Sequence, residues 1–346
     1  MGISPPLELA PGIRLATGCA ETALFPHLGD NTIDAIVTDP PYEIDFTRQV
    51  GRQWDREGVA FSVEFWGQAL RVAKPGANLV AFGAPRTFHR LVTAVEDAGW
   101  EVRDMLLAWV KSYGFPKAVE TQQLLRRRGY PELAEKFAGI QNVLKPAHEP
   151  ILVARKPLQA GATLADNLIQ WGCGGLGVDD CRVPTRDDRS RTPGKSKKGD
   201  ILHMSRGNER STSHAGGRWP TNLLLVHQPD CEPERHCVNG CPVKDLEAQH
   251  NGCARYFPQF RYSGRAPKSE RPIVDGIEHH TVKPLSVMEW LVRLAAPLPG
   301  MLVMDPFAGS GTTAEACLKL DRQCVMAESE PDYVPLIQQR IQRATA

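Results

Sequence analysis

Two short apolar runs, each followed at once by a tight polar turn, constrain the fold of this 346-residue chain more than any other feature. The first run, residues 33–38, reads IDAIVT and leads into the turn DPPY at residues 39–42. The second run, residues 301–304, reads MLVM and leads into the turn DPFAGSGTT at residues 305–313. In α/β proteins, a buried strand that ends in such a turn places polar groups at one edge of a sheet. The two runs therefore predict an α/β fold with a ligand-binding cleft.

Strand-like and helical patterns alternate in two parts of the chain, residues 12–160 and 277–346. The predicted strands lie at residues 33–37, 79–83, 102–110, 149–154, 301–304 and 322–327. The predicted helices lie at residues 64–72, 87–98, 285–296 and 332–343, and from residue 312 onward. Alternation of this kind predicts a mostly parallel, twisted sheet with helices on both faces.

Composition and charge exclude several classes of protein. A hydrophobic content of 42% is ordinary for a globular chain, and a formal net charge of +1 excludes a wholly basic coat protein. The sequence shows neither a signal peptide nor an apolar run long enough to cross a bilayer, so we expect a cytoplasmic protein with no membrane partner. Nine cysteines, an odd number, favour free thiols or metal ligands over a disulfide framework.

The middle of the chain, residues 157–276, differs in character from both flanking parts. Within it, residues 182–218 carry ten Lys or Arg against four Asp or Glu, and few apolar side chains. Such a segment cannot form much core, so we predict a mobile basic loop. The loop is either a solvated surface or a phosphate-contacting segment, because basic residues on a flexible loop can follow a nucleic-acid backbone.

Four potential metal ligands lie within fifteen residues of this middle part. They are His227, Cys231, Cys237 and Cys241, with three, five and three residues between successive members. This spacing suits a small tetrahedral zinc site in a region poor in core. Buried or idle thiols explain the cysteines equally well. The sequence leaves both interpretations open.

The turn at residues 305–313 has features of a nucleotide-binding loop. Gly309 and Gly311 lack a Cβ, so a ligand can approach the backbone where strand gives way to helix. Glu328 ends the next predicted strand, where an acidic side chain can accept hydrogen bonds from a ribose diol. Asp305 is predicted to bind a cationic or amino-bearing ligand. The third glycine of the dinucleotide pattern is missing, which argues against an oxidoreductase.

The turn at residues 39–42 suits chemistry on an exocyclic amine of a nucleic-acid base. Such an amine is a poor nucleophile because its lone pair is delocalised into the ring, so a site must draw it toward tetrahedral geometry. Asp39 can accept one N–H and the Pro40 carbonyl the other, and the Pro40-Pro41 pair stiffens the turn. Tyr42 offers a flat face for stacking on an extruded base. Taken alone, the tetrapeptide is also typical of an ordinary rigid turn.

As an ordered pair, the two turns resemble the motifs of DNA amino-methyltransferases, in the permuted class whose catalytic motif precedes the cofactor motif. The resemblance implies a Rossmann-like methyltransferase fold, with residues 1–156 and 277–346 as one discontinuous catalytic domain. It also implies that residues 157–276 are an inserted target-recognition region. Asp39, Pro40, Pro41 and Tyr42 are then the catalytic residues.

The resemblance further implies S-adenosylmethionine as cofactor. Residues 280–284, HTVKP, are similar to a cofactor-contacting segment that usually reads HPTxKP in the family. Residues 17–20, TGCA, stand where the family often has Gly-Asp beside the cofactor's adenine, so this chain departs from the pattern there. The implied cofactor-binding residues are Asp305, Phe307, Gly309, Gly311, Thr312, Glu328, Thr281 and Lys283.

The expected activity is methylation of the N6 amine of adenine in double-stranded DNA, by direct in-line displacement on a flipped base. The alternative is N4-cytosine, which the same turn can position, although Ser often replaces the leading Asp in that family. A catalytically idle DNA-binding relative is a second alternative. The resemblance is compatible with association of the protein with the nucleoid and with assembly into a homodimer. It is also compatible with a cognate restriction nuclease as partner. The sequence decides none of these.

Overall fold

The computed structural model describes residues 4–44, 55, 58–103, 106–111, 120–185, 187, 213–232, 236–261 and 266–346. Most of the predicted basic loop at residues 182–218 lies outside these residues.

The strands are β1 (Leu7–Ala10), β2 (Ile13–Thr17), β3 (Ile33–Thr38), β4 (Ala73–Phe82), β5 (Glu101–Val102), β6 (Leu107–Val110), β7 (His148–Arg155), β8 (Leu223–Val226), β9 (Gln259–Phe260), β10 (Ile273–Val274), β11 (Ile277–Glu278), β12 (Leu302–Asp305) and β13 (Gln323–Glu328). The helices are α1 (Ala20–Ala23), α2 (Val63–Val72), α3 (Phe88–Asp97), α4 (Thr121–Arg127), α5 (Pro131–Lys136), α6 (Leu164–Trp171), α7 (Pro242–Gln249), α8 (Leu285–Ala295), α9 (Thr312–Lys319) and α10 (Val334–Thr345). None of these described helices is both long and apolar enough to cross a membrane.

Eleven of the described strands form one mixed sheet. Its order is β1-β2-β13-β12-β3-β4-β7-β6-β8-β9, and β5 pairs with β7. Every neighbouring pair from β2 to β4 is parallel. Strand β7 runs antiparallel to both β4 and β6, and β1 runs antiparallel to β2. The predicted mostly parallel sheet is confirmed.

The two strands that lead into the predicted turns are direct neighbours. β3 pairs in parallel with β12, with Ala35 opposite Val303 and Ile36 opposite Met304. The chain continues from β3 to β4 on one side and from β12 to β13 on the other. This reversal of direction is a topological switch point, where open α/β sheets place their ligands.

Alternate residues of the central strands enter two separate hydrophobic clusters. Val303 and Met326 belong to one cluster, which also contains buried residues of α8, α9 and α10. Met304 and Val325 belong to the other, together with buried residues of α2 and α3. Because side chains alternate between the faces of a strand, the two clusters lie on opposite faces of the sheet. Helices therefore cover both faces, as predicted.

Part of the middle region belongs to this sheet. β8 and β9 extend it beyond β6, with Leu224 opposite Trp109 and Val226 opposite Phe260. Position 157 is therefore not a boundary of the sheet, and target recognition by residues 157–276 stays a prediction. The single strand predicted at residues 102–110 is wrong, because β5 and β6 are separate strands that both pair with β7.

Candidate active site

A cavity of about 500 Å³ lies at the switch point, between the two turns. The volume is in the range of pockets that hold small organic ligands. Among the predicted catalytic and cofactor-binding residues, Gly311 alone does not line it. The lining includes Asp39, Pro40, Pro41, Tyr42, Thr281, Lys283, Asp305, Phe307, Gly309, Thr312 and Glu328.

The two glycines of the second turn have different surroundings. Both have positive φ, +55° at Gly309 and +79° at Gly311, a conformation that favours glycine. A Cβ on Gly309 would lie 3.1 Å from the Nε2 of His279, which also lines the cavity. A Cβ on Gly311 would lie 3.1 Å from Ile337 of α10. Gly309 thus lets the His279 ring pack closely against the turn, whereas Gly311 allows α10 to pack against the start of α9.

Asp305 holds the second turn to the neighbouring strand. Its Oδ1 accepts hydrogen bonds from Thr38 Oγ1 at 2.6 Å and from the Phe307 N–H at 3.1 Å. Its Oδ2 accepts a hydrogen bond from Thr313 Oγ1 at 2.5 Å. Burial raises the pKa of Asp305 to about 6, although these hydrogen bonds oppose the rise. The geometry makes Asp305 an anchor of the turn as well as part of the cavity wall.

Glu328 ends β13 beside the same turn. Its Oε2 accepts the Gly309 N–H at 2.6 Å, and its Oε1 accepts the Glu330 N–H at 2.8 Å. Its backbone carbonyl accepts the N–H of Gly18 at 2.7 Å, which brings residues 18–20 to the cavity wall. Burial raises the pKa of Glu328 to about 7. Each carboxylate oxygen keeps further acceptor capacity, so the side chain can receive hydroxyl groups of a ligand.

The carboxylate of Asp39 has one oxygen paired and one unpaired. Oδ2 accepts a hydrogen bond from the ammonium of Lys283, a nearly buried residue. Oδ1 is inaccessible to solvent and has no hydrogen-bond donor among the described residues. Burial raises the pKa of Asp39, and the Lys283 charge opposes this effect. Buried polar atoms of native proteins are rarely left without a hydrogen-bond partner, so the unpaired Oδ1 beside the cavity marks a position that an N–H of a ligand can satisfy.

Tyr42 is held by a network of charged groups. Its hydroxyl donates to Glu149 Oε2 at 3.1 Å and accepts from Lys283 Nζ at 3.2 Å. Its carbonyl accepts from Thr87 Oγ1 at 2.8 Å. Burial and the carboxylates of Asp39 and Glu149 raise the pKa of Tyr42 well above its ordinary value, so the phenol stays protonated. The network fixes the ring at the cavity wall.

Lys283 thus lies against the first turn, residues 39–42, in contact with Asp39 and Tyr42. The resemblance had implied a cofactor contact for Lys283, and that role stays a prediction. His279 lies beside Gly309 of the glycine turn, and its Nδ1 accepts a hydrogen bond from the Thr281 N–H at 3.2 Å. The His279 ring packs edge-on against Tyr333 at a centroid separation of 4.5 Å.

Sequence reasoning missed Glu149 and Lys111, which form an ion pair beside Tyr42. Glu149 is near the start of β7, and a parallel strand would have placed it at the opposite edge of the sheet. Because β7 is antiparallel, its first residues lie beside the end of β4. The direction of β7 is therefore what brings Glu149 to Tyr42.

The parallel central strands with helices on both faces and a switch-point cavity form a Rossmann-like fold, and comparisons with known proteins specify the family. The DNA methylase model N6_N4_Mtase matches residues 33–339, which is most of the chain. The protein therefore belongs to this family and is an S-adenosylmethionine-dependent amino-methyltransferase of DNA.

Two relatives align over most of the chain. The type II methyltransferase M.HindIII of Haemophilus influenzae is 27% identical over 341 residues, covering 86% of this chain and 85% of its own. The type II methyltransferase M.HpaI of Haemophilus parainfluenzae is 22% identical over 318 residues, covering 91% of this chain and 70% of its own. The solved structure of the PvuII DNA methyltransferase (cytosine-N4-specific) is 13% identical with a TM-score of 0.50, covering 96% of this chain and 90% of its own. That likeness shows the shared fold.

Proposed function

We propose that this enzyme methylates the N6 amine of adenine in double-stranded DNA. The observation that carries the proposal is the unpaired, buried Oδ1 of Asp39 in the cavity that Glu328 and the glycine turn also line. A carboxylate at the head of the turn, where N4-cytosine enzymes often have Ser, favours adenine as the target base.

The cavity suits S-adenosylmethionine in its volume and in the polar groups that line it. Glu328 would accept the ribose hydroxyls, and the open backbone at Gly309 would admit close approach of the ligand. Phe307 would contact the cofactor with a ring that Phe65 supports at a centroid separation of 5.0 Å. When bound, the cofactor supplies an electrophilic methyl group on a sulfonium.

The residues of the first turn would orient the attacking amine. Asp39 Oδ1 accepts one N–H and the Pro40 carbonyl accepts the other, which directs the nitrogen lone pair toward the glycine turn. Lys283 keeps the Asp39 carboxylate in place by holding Oδ2. No strong base is required, because the nitrogen becomes acidic as it gains the methyl group.

Tyr42 would stack on the extruded base. The Lys283 ammonium lies 5.2 Å from the centroid of the Tyr42 ring, and the hydroxyl is held by Glu149. These contacts fix the plane of the ring before the base arrives. A preset ring lowers the ordering cost of holding an unstacked base.

Analysis of the methylated nucleoside tests this function. Plasmid DNA treated with the enzyme and S-adenosylmethionine should yield N6-methyladenine after digestion to nucleosides and mass spectrometry. N4-methylcytosine as the product would replace the adenine assignment. Absence of both, with intact cofactor binding, would indicate the idle DNA-binding relative.

We assign target recognition to residues 157–276, and the support is two pairs of arginine and aromatic side chains in this region. The Arg218 guanidinium lies 4.3 Å from the centroid of Tyr256, and Arg182 lies 5.6 Å from that of Trp219, which is 65% exposed. Arginines and aromatic rings are the side chains that contact phosphates and bases. The type II names of M.HindIII and M.HpaI support a restriction-modification context with a cognate nuclease.

Cofactor affinity should decrease as the pH is lowered through about 7. In the free protein, burial raises the pKa of Glu328 to about 7. Ribose hydroxyls donate to the ionised carboxylate and a sulfonium attracts it, so binding lowers this pKa and releases a proton near neutrality. Calorimetry in buffers of different ionisation enthalpy should detect that release. Affinity that is constant or rises toward acid pH would contradict the assignment.

A further inference from the structure

We propose that His227, Cys231, Cys237 and Cys241 bind one Zn²⁺ ion in a tetrahedral Cys₃His site. The cluster lies in the region around β8, β9 and α7, and none of its residues lines the cavity. The proposal is independent of the base that the enzyme methylates.

The ligand atoms already have the separations of a zinc site. The imidazole nitrogen and the three sulfur atoms all lie within 4.8 Å of one another. His227 Nδ1 lies 3.4 Å from Cys237 Sγ and 3.7 Å from Cys241 Sγ. Zinc bonds of about 2.0–2.3 Å in a tetrahedron place neighbouring ligand atoms roughly 3.5–3.8 Å apart. The two distances from His227 match this spacing, and the other separations are at most 4.8 Å.

The histidine is oriented by a neighbour on β9. The side-chain amide of Gln259 donates to the Ala254 carbonyl at 2.7 Å, which directs its oxygen at His227 Nε2, 3.2 Å away. That contact places the imidazole proton on Nε2 and leaves the Nδ1 lone pair directed at the sulfur atoms. Metal-bound histidines commonly hold their second nitrogen in this way.

The position of Cys241 at a helix N-terminus suits a thiolate. Cys241 is fully buried and is the N-cap residue of α7, whose first residue is Pro242. The unpaired N–H groups in the first turn of a helix carry partial positive charge, which favours a negatively charged sulfur at that end.

The surrounding core is too small to fix the 227–241 segment by packing alone. Within the described residues, the local hydrophobic cluster has only four buried members, and one of them is a ligand: Leu225, Cys241, Val243 and Ala254. Small cores commonly rely on a metal or a disulfide for stability. A zinc ion here would connect the end of β8 to the start of α7 and stabilise the segment between them.

Metal analysis of the full chain tests the proposal. Protein purified under reducing conditions without chelator should contain about one zinc per chain. Cys237→Ser and Cys241→Ser should each lose most of the metal, whereas Cys253→Ser, a cysteine outside the cluster, should retain it. Zinc-free wild-type protein, or full zinc in both ligand variants, would overturn the proposal.

Cobalt substitution gives a readout that does not depend on whether the variants fold. Wild-type protein with Co²⁺ exchanged for zinc should show thiolate-to-cobalt charge-transfer bands and the strong visible bands of tetrahedral Co²⁺. Octahedral spectra or no cobalt binding would reject the Cys₃His site. Neither result bears on the nucleoside analysis, so failure of this proposal and failure of the proposed function are distinguishable.

Discussion

Replacement of Asp39 by Ala should reduce the methylation rate at least about 10²–10³-fold, the loss typical for removal of one group that stabilises a transition state. The amine then loses the acceptor that orients it, while Pro40 and Tyr42 remain. S-adenosylmethionine affinity should be nearly unchanged, because the glycine turn and Glu328 keep their hydrogen bonds. Single-turnover methylation of a plasmid and calorimetric titration with the cofactor measure the two effects separately.

Asp30→Ala is the matched control for Asp39→Ala. Asp30 forms a surface ion pair with Arg71, and its removal should leave both rate and affinity near those of the wild type. A wild-type methylation rate in the Asp39→Ala variant would show that Asp39 does not orient the attacking amine. Equal losses of rate and of cofactor affinity would indicate that Asp39 supports the cofactor.

Replacement of Glu328 by Ala should weaken S-adenosylmethionine binding at least about 100-fold, because hydrogen bonds to a charged group contribute about 1.5–3 kcal/mol each. The same change leaves the Gly309 and Glu330 N–H groups without their acceptor, so part of the loss comes from the turn itself. Glu328→Gln, which keeps one acceptor oxygen, should therefore bind more tightly than Glu328→Ala. Calorimetric titration measures the S-adenosylmethionine affinity of the wild type, Glu328→Ala and Glu328→Gln.

Glu330→Gln is the control for the Glu328 variants. Glu330 is two residues further along the chain and does not line the cavity. The Glu330→Gln variant should therefore bind the cofactor with wild-type affinity. Wild-type affinity in Glu328→Ala would show that the cofactor ribose binds elsewhere.

The central strands and the turns that they carry were predictable because their signals are local. Residues 33–37 and 301–304 are apolar runs of strand length, and the structure has β3 and β12 there within one or two residues. The resemblance to DNA amino-methyltransferases implied that the two strands are neighbours, and parallel neighbours end at one edge of a sheet. The pairing of β3 with β12 confirms that inference.

Other features depend on long-range pairing that local patterns do not encode. β8 and β9 are four and two residues long and join the sheet through residues far away in the chain. Glu149 reaches Tyr42 because β7 reverses direction, and a short apolar run has no signal for direction. The partners of Lys283 became visible with the structure, since HTVKP alone does not say which turn the lysine meets.

The central claim is that two turns separated by 266 positions (305 minus 39) in the sequence form one reaction site. A crystal structure of the enzyme with a non-reactive cofactor analogue and a duplex containing the recognised sequence tests it most directly. We expect the analogue to lie against Phe307 and Glu328, a flipped adenine to stack on Tyr42, and the adenine amine to be within hydrogen-bond reach of Asp39. An analogue or an extruded base bound outside the cavity would contradict it.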